Sequence, residues 1–298
     1  MLLLTGATGQ VGSTLLNRLL AEETPVRCLL RDPRRLGAQR VRVQIALGDL
    51  ADPPSFRNAM RGVHTVVHLA ASIRDQPRGS IEELNGIATW RMVRAAQREG
   101  AERFVFFSAL GASTHHRARF FRAKALAEQA VREAELHSIV FRPSLVYAPG
   151  DEWLRLLERL SLLPLMPVSG SGRAVYEPIW TEDVADCVMA ALRTTDNSDG
   201  QRRSDTYELA GPDALSHTEI VRLVLDCLDR RRPLVHVPTP VVSRALRLLE
   251  SVTGSRMIPT WDEAELMECP MLAHHGTADA QALGIRPAHM TAVLGAGN

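Results

Sequence analysis

Thr5-Gly6-Ala7-Thr8-Gly9-Gln10-Val11-Gly12 follows the apolar run Met1-Leu2-Leu3-Leu4 directly and opens a helix-forming stretch that begins near Val11. Three glycines in a strand-to-helix turn leave few folds open, because each answers a different steric demand. Gly6 permits the tight turn, Gly9 lets the backbone approach a pyrophosphate, and Gly12 lets the helix pack against the strand. The amides near Gln10 and Val11, at the positive end of the helix, then hold the phosphates, with Thr8 beside them. The same glycines without a ligand make a plain turn, but a strand before them and a helix after them favour the phosphate reading.

Short apolar runs then alternate with helical patterns through the first half of the chain. The spacing predicts strands at Met1 to Leu4, Val26 to Leu30, Val41 to Ala46, Thr65 to Leu69, Arg103 to Ser108 and Ser138 to Arg142, with helices beginning near Val11, Pro54, Ile81, Arg117 and Asp151. Regular alternation of this kind gives an α/β fold, a Rossmann-type doubly wound parallel sheet with ligands at the carboxyl ends of its strands. After Gly150 the rhythm breaks at Pro164 to Gly172 and Thr194 to Arg203. A capping box at Ser216-His217-Thr218-Glu219 starts a helix, and further helices are expected near Thr239 to Ser251 and Trp261 to Glu268. The expected organisation is a dinucleotide-binding domain over residues 1–150, with parts of 174–195 and 204–212 returning to it, and a small, mainly helical lobe over 151–298.

The chain is 298 residues long, 45% hydrophobic, and carries a formal charge of +1. That size buries a substantial core. The near-zero charge gives no global field for nucleic acid or an anionic membrane, and runs such as Arg231-Arg232 read as solvated surface. Cys28, Cys187, Cys227 and Cys269 show no CxxC spacing, so no metal site or disulfide framework is indicated. The apolar start turns at Gly6, too short for a signal peptide or a membrane span, and the expected setting is a reduced, cytoplasmic one.

Arg31 follows the second strand, where a dinucleotide-binding chain chooses its cofactor. An acidic residue there binds the ribose 2′-hydroxyl and an arginine suits a 2′-phosphate, so NADP(H) is expected over NAD(H). Arg34 and Arg35 can reinforce this, and Asp32 weakens it. Asp49 in Gly48-Asp49-Leu50 is placed to accept a hydrogen bond from an adenine amino group. Leu69, Ala70 and Ala71 leave room for a ribose at the end of the fourth strand. His68, on that buried strand, reads as a core histidine.

Lys124 is the only lysine among 35 basic residues, so a compact ammonium is wanted where it stands. It lies in Phe120-Phe121-Arg122-Ala123-Lys124. Together the runs TGATGQVG, GDL, HLAAS, FVFFSALGAS, FFRAKALAEQAV, FRPSLVYAPGD and YEPIWTEDVADCV, in this order, resemble an atypical or extended short-chain dehydrogenase/reductase. The nearest branches are similar to NmrA-like NAD(P)H-binding proteins and to the nucleotide-binding accessory subunit of mitochondrial complex I. The resemblance implies that Lys124 holds the nicotinamide ribose, that Ser108 lies at the catalytic serine or one position before it, at Ala109, and that Pro143 borders the cofactor. It also implies a tyrosine four residues before the lysine, where this chain has Phe120.

A phenyl ring has no proton to give, so the family's carbonyl chemistry is in doubt here. Substitute donors in the sequence are Tyr147, His115, His116 and Ser113; loop histidines are usually solvated and the tyrosine usually packs under the cofactor loop. Asp183 in Thr181-Glu182-Asp183 is expected to cap a helix. Two functions stay open: an NADPH-dependent reductase of a small organic substrate, or a non-catalytic NAD(P)H-binding sensor, regulator or assembly factor with a protein partner. The substrate and the oligomeric state are not legible.

Overall fold

In the computed structural model, which describes residues 1–194, 204–238 and 266–295, strand and helix alternate from the start. The first half runs β1 (Leu2–Thr5), α1 (Gln10–Ala21), β2 (Val26–Leu30), β3 (Gln44–Leu47), α2 (Pro53–Phe56), β4 (Thr65–His68), α3 (Ala88–Arg98), β5 (Arg103–Phe107), α4 (Arg119–Arg132) and β6 (His137–Pro143). There follow β7 (Val146–Tyr147), α5 (Glu152–Leu160), β8 (Met166–Ser169), β9 (Val175–Tyr176), β10 (Ile179–Trp180), α6 (Thr181–Thr194), β11 (Ser204–Leu209), β12 (Leu215–Ser216), α7 (His217–Cys227), β13 (Leu234–Val237), α8 (Ala278–Ala282) and α9 (Met290–Gly295).

Seven strands form one sheet in the order β11-β6-β5-β4-β1-β2-β3, and every pairing is parallel. The strand sequences dictate this. Successive side chains point to opposite faces, and both faces are covered, so the strands read as continuous apolar runs. Leu2, Leu4, Val67 and Val105 pack with α1 and α6 on one side. Leu3, Val66, Phe104 and Phe106 pack with α3 and α4 on the other. The strand order reverses between β1 and β4, which opens a crevice at their carboxyl ends.

The third strand departs from its expected bounds. It begins at Gln44, because Val41 closes a 3-10 segment over Pro33–Val41 and is 83% exposed. As the sheet's edge, β3 is covered too thinly for apolar content to mark its start. The helix expected near Ile81 begins with a π turn over Glu83–Ile87 that feeds α3. Asp151 caps α5 by accepting from Leu154 N at 2.7 Å, and the Ser216–Glu219 capping box forms with both reciprocal bonds. The helix expected at Thr239 to Ser251, and most of that at Trp261 to Glu268, lie outside the described residues.

Beyond β6 a second core gathers Tyr147, Leu154, Leu157, Met166, Tyr176, Ile220 and Met290. The C-terminal segment is held across the strand ends by distant carboxylates. Glu177 accepts from Ala273 N at 2.7 Å, Glu208 from His274 N at 2.8 Å, and Asp213 from Met290 N at 3.0 Å. Leu266, Cys269 and Met271 are thereby laid over the carboxyl ends of the central strands.

Candidate functional site

The glycine turn is built as a cradle. Gly6 has φ +73, and a Cβ there would stand 2.7 Å from Ala70 N, so both the turn and the approach of the β4 loop require glycine. At Gly12 a Cβ would meet Gly6 O at 2.0 Å, so the helix can lie this close only without one. Gly9 differs, since its backbone is extended and a Cβ would meet nothing nearer than Gly6 O at 3.3 Å. A Cβ at Gly9 would thus be tight against one backbone oxygen only, a milder clash than at Gly6 or Gly12. As the N-cap of α1, Gly9 offers no side-chain cap, and no acid sits in the first turn. The helix's positive end and its free amides face a cradle that a side chain would fill, which fits an anionic diphosphate.

A hydrogen-bonded chain fixes the floor of the crevice. Ala70 N–H donates to Thr5 Oγ1 at 3.3 Å, and the Thr5 hydroxyl to His68 Nδ1 at 2.7 Å. On the other side His68 Nε2–H donates to Thr89 Oγ1 at 3.1 Å, and the Thr89 hydroxyl to Asn85 O at 2.5 Å. This proton assignment satisfies every link and keeps the ring neutral. Burial, with a smaller contribution from the Lys124 charge, pushes the His68 pKa down to about 3. His68 is thus a core residue joining β1, β4 and α3. Asn85, which the sequence reading missed, is buried in the π turn. Its amide donates to Ser72 O at 2.7 Å and Ile81 O at 2.8 Å while its Oδ1 accepts from Ser72 N at 3.0 Å, so it sets the path of the loop after Ala70. The available signal was an Asn-Gly pair inside a helical stretch, where both residues are poor helix formers.

At the end of β2 the Arg31 side chain is exposed, and Asp32 Oδ1 accepts from Arg34 N at 3.0 Å. The carboxylate that weakened the arginine reading is thereby turned onto its own backbone. Asp49 Oδ1 likewise accepts from Ala51 N at 3.1 Å, whereas its Oδ2 is buried without a hydrogen bond, 3.6 Å from Arg78 Nη1.

Farther along the crevice, Lys124 is buried and donates from Nζ to Phe107 O at 2.6 Å. Loss of hydration pushes its pKa down to about 7, against the raising pull of Glu128. Next to that carbonyl, Ser108 Oγ is buried with no partner. The ring of Phe120 lies 5.6 Å from Nζ and packs against a buried cluster of Ala109, Ala118, Phe121 and Cys269, which Leu266 and Met271 also cover. An ammonium, an orphaned hydroxyl and an apolar roof therefore meet at the end of β5. The orphaned Ser108 hydroxyl, the Asp49 carboxylate oxygen without a hydrogen bond, the absence of a side chain at Gly9 and the bare helix terminus together fit a dinucleotide laid along the crevice.

A family model described as NAD(P)H-binding matches residues 6–195, which is more than half of the chain. The chain belongs to this NAD(P)H-binding family. It is 29% identical over 79% of its length to the mitochondrial NADH dehydrogenase [ubiquinone] 1 alpha subcomplex subunit 9 of Arabidopsis thaliana, and spans 60% of that protein. It is 28% identical over 86% of its length to the ceramide reductase of Caulobacter vibrioides, covering 80% of that protein. The fold matches the UDP-glucose 4-epimerase of Thermus thermophilus, solved in complex with NAD, with a TM-score of 0.71 at 18% identity over 99% of this chain and 96% of the other.

As a member of the NAD(P)H-binding family, the chain brings Gly6, Gly9, Gly12, Asp49, Ala70, Ser108 and Lys124 to one crevice. It does not bring Tyr147 there. That tyrosine is wholly buried in the second core, and its unpartnered hydroxyl is held far above the usual phenol range by desolvation, with Asp183 and Asp213 adding to the effect. The Tyr147 hydroxyl is thus enclosed and poorly disposed to ionise. His115 is exposed beside Thr114, and the His116 ring packs 4.5 Å from the Phe121 ring while its Nδ1 accepts from Ala118 N at 3.0 Å. Asp183 does not cap a helix as expected; its Oδ2 accepts from Ala288 N at 2.9 Å and pins the C-terminal segment.

Proposed function

We propose that this chain binds NADP(H) and works through cofactor occupancy, as an accessory or regulatory component of a larger protein assembly. Phe120 carries the proposal. The side chain one turn before Lys124 has no hydroxyl, and Ala109, Ala118 and Phe121 in the buried cluster it packs against are apolar. General acid catalysis needs a proton within hydrogen-bond reach of the substrate oxygen, and this ring supplies none. Similarity to a complex I subunit supports a protein partner. Arg31, exposed and unopposed by Asp32, supports the 2′-phosphate, whose charge a guanidinium can pair with in a bidentate manner. Bound NADP(H) would rest its diphosphate on the α1 terminus and its nicotinamide ribose near Lys124, where the cofactor supplies a transferable hydride.

Ser108 and the similarity to a ceramide reductase favour a second reading, reduction of an apolar acceptor. Calorimetry with NADPH and NADH, followed by recovery of the cofactor after incubation with quinone acceptors, separates the two. Tighter binding of NADPH with the cofactor recovered reduced supports the occupancy reading. Rapid consumption supports the reductase, and no binding of either nucleotide rejects both.

A further inference from the structure

Four of the large apolar side chains left exposed gather at one end of the second lobe: Leu162 at 66%, Leu163 at 46%, Leu165 at 50% and Val235 at 41%. Local structure forces them outward. Ser161 ends α5, and tight turns return Leu162 N to Arg159 O at 3.2 Å and Leu163 N to Leu160 O at 3.0 Å, so the next residues form a loop tip. The chain then enters β8, which pairs with β13 in a two-stranded parallel ribbon. Met166 and Val168 face the lobe's core, so the alternate positions Leu165 and Pro167, with Val235 opposite Pro167, form the outer face.

Two arginines grip the base of this apolar tip, in stretches that also carry the exposed Glu158 and Asp229. Arg230 donates from Nη1 to the buried Ser161 Oγ at 2.5 Å, and Arg232 from Nε to Ser161 O at 3.1 Å, which wraps both side chains around the loop's base. Arg159 and Arg231 are exposed beside them. Among the described residues, none of these four arginines lies within ion-pair distance of a carboxylate. A net charge near zero hid the feature, because it averages a local cluster over the whole surface.

We propose that this end of the second lobe docks on an anionic lipid surface, with Leu162, Leu163 and Leu165 entering the acyl boundary and Arg159, Arg230, Arg231 and Arg232 meeting lipid phosphates. Consecutive leucines on a loop tip suit a fluid apolar medium that closes around them, and leucine is under-represented among the side chains that dominate protein interfaces. Arginine stems can lie along the apolar face while their guanidinium groups stay at headgroup level. No helix of the described residues is long and apolar enough to cross a membrane, so the contact is a peripheral one.

Sedimentation of the full chain with vesicles of phosphatidylcholine alone, and with phosphatidylglycerol added, tests the proposal. Binding is expected to the anionic vesicles and to fall with salt. Replacing Leu162 and Leu163 by Asp should lower partitioning by about tenfold or more, as expected for side chains that leave an apolar phase. Arg159→Gln and Arg231→Gln should each cost about fivefold, the increment for one basic residue at an anionic surface. NADPH binding in each variant shows that the fold is intact. Absence of parent binding, or equal binding by the leucine variants, overturns the proposal. So does a dimeric parent that the leucine variants turn into a monomer, which would make the patch a contact between copies of this chain.

Discussion

The Nζ of Lys124 stands 5.6 Å from the centre of the Phe120 ring, one helical turn back along α4. A second ring, that of Phe106, lies 5.0 Å away on the other element that packs here. The lysine is therefore an ammonium boxed in by aromatic faces, with the Phe107 carbonyl as a hydrogen-bond acceptor and no phenol to activate. Burial sets its chemistry and gives a titration that can be measured.

Because burial lowers the Lys124 pKa to about 7 in the folded chain from 10.5 outside it, the unfolded chain binds more protons between those values. Stability should then rise with pH from about 7, with a slope of up to about 1.4 kcal/mol per pH unit. Above pH 9 the opposing ionisation of thiols in the unfolded chain sets in, so the clean window lies below it. Urea denaturation from pH 7 to that limit measures the slope. Lys124→Met should flatten it.

His68 gives the complementary effect in acid. Its ring is held neutral down to about pH 3, against 6.5 when unfolded, so the unfolded chain takes up the proton first and stability falls as pH drops below about 6.5. The buried His217, also lowered, acts in the same direction. Denaturation midpoints between pH 6.5 and 5, before carboxylates titrate, should decline in the parent. They should decline less in His68→Gln.

Arg31→Ala should weaken NADPH binding by roughly 1.5–3 kcal/mol, the range for hydrogen bonds to a charged group, and leave NADH little changed. Titration calorimetry on both cofactors reads this directly. Equal losses would show that Arg31 does not meet the 2′-phosphate.

Gly9→Val should fold yet bind neither cofactor. Its Cβ meets one protein atom tightly, Gly6 O at 3.3 Å, which has to yield by a few tenths of an ångström, and the rest of the branched side chain would occupy the diphosphate's space. The melting temperature alone should resemble the parent's, and the shift on adding NADPH should vanish.

Much of this frame was legible because local sequence carries it. The β1–α1 turn needs glycines at fixed positions, and β1, β4 and β5 are apolar throughout because helices cover both faces of the sheet. Asp151 and Ser216–Glu219 announce their helices through short-range hydrogen bonds. What stayed hidden depends on distant partners. The π turn at Glu83–Ile87 shares its apolar pattern with an ordinary helix, and Asn85 acquires its role only when Ser72 is beside it. Asp183 reads as a cap until Ala288 arrives from the far end of the chain. Tyr147 reads from sequence only as a substitute donor after β6, and its enclosure by α5, β8 and α7 depends on packing that no local pattern encodes. The apolar roof over Lys124 joins α4 to residues 266–271, a contact that no local pattern encodes.

The most direct measurement compares NADPH oxidation by the parent and by Phe120→Tyr with simple aldehydes and ketones, with NADPH binding verified for both. Without a phenol beside Lys124 the parent should bind NADPH and leave these carbonyls essentially unreduced. The variant places a hydroxyl one turn from the ammonium, which favours its ionised form, and proton transfer of this kind is worth about 10²–10⁴ in rate. A gain of that order in the variant is the predicted result. Efficient carbonyl reduction by the unmodified chain would contradict the account, because it would show that a proton reaches the substrate at this site without the missing hydroxyl.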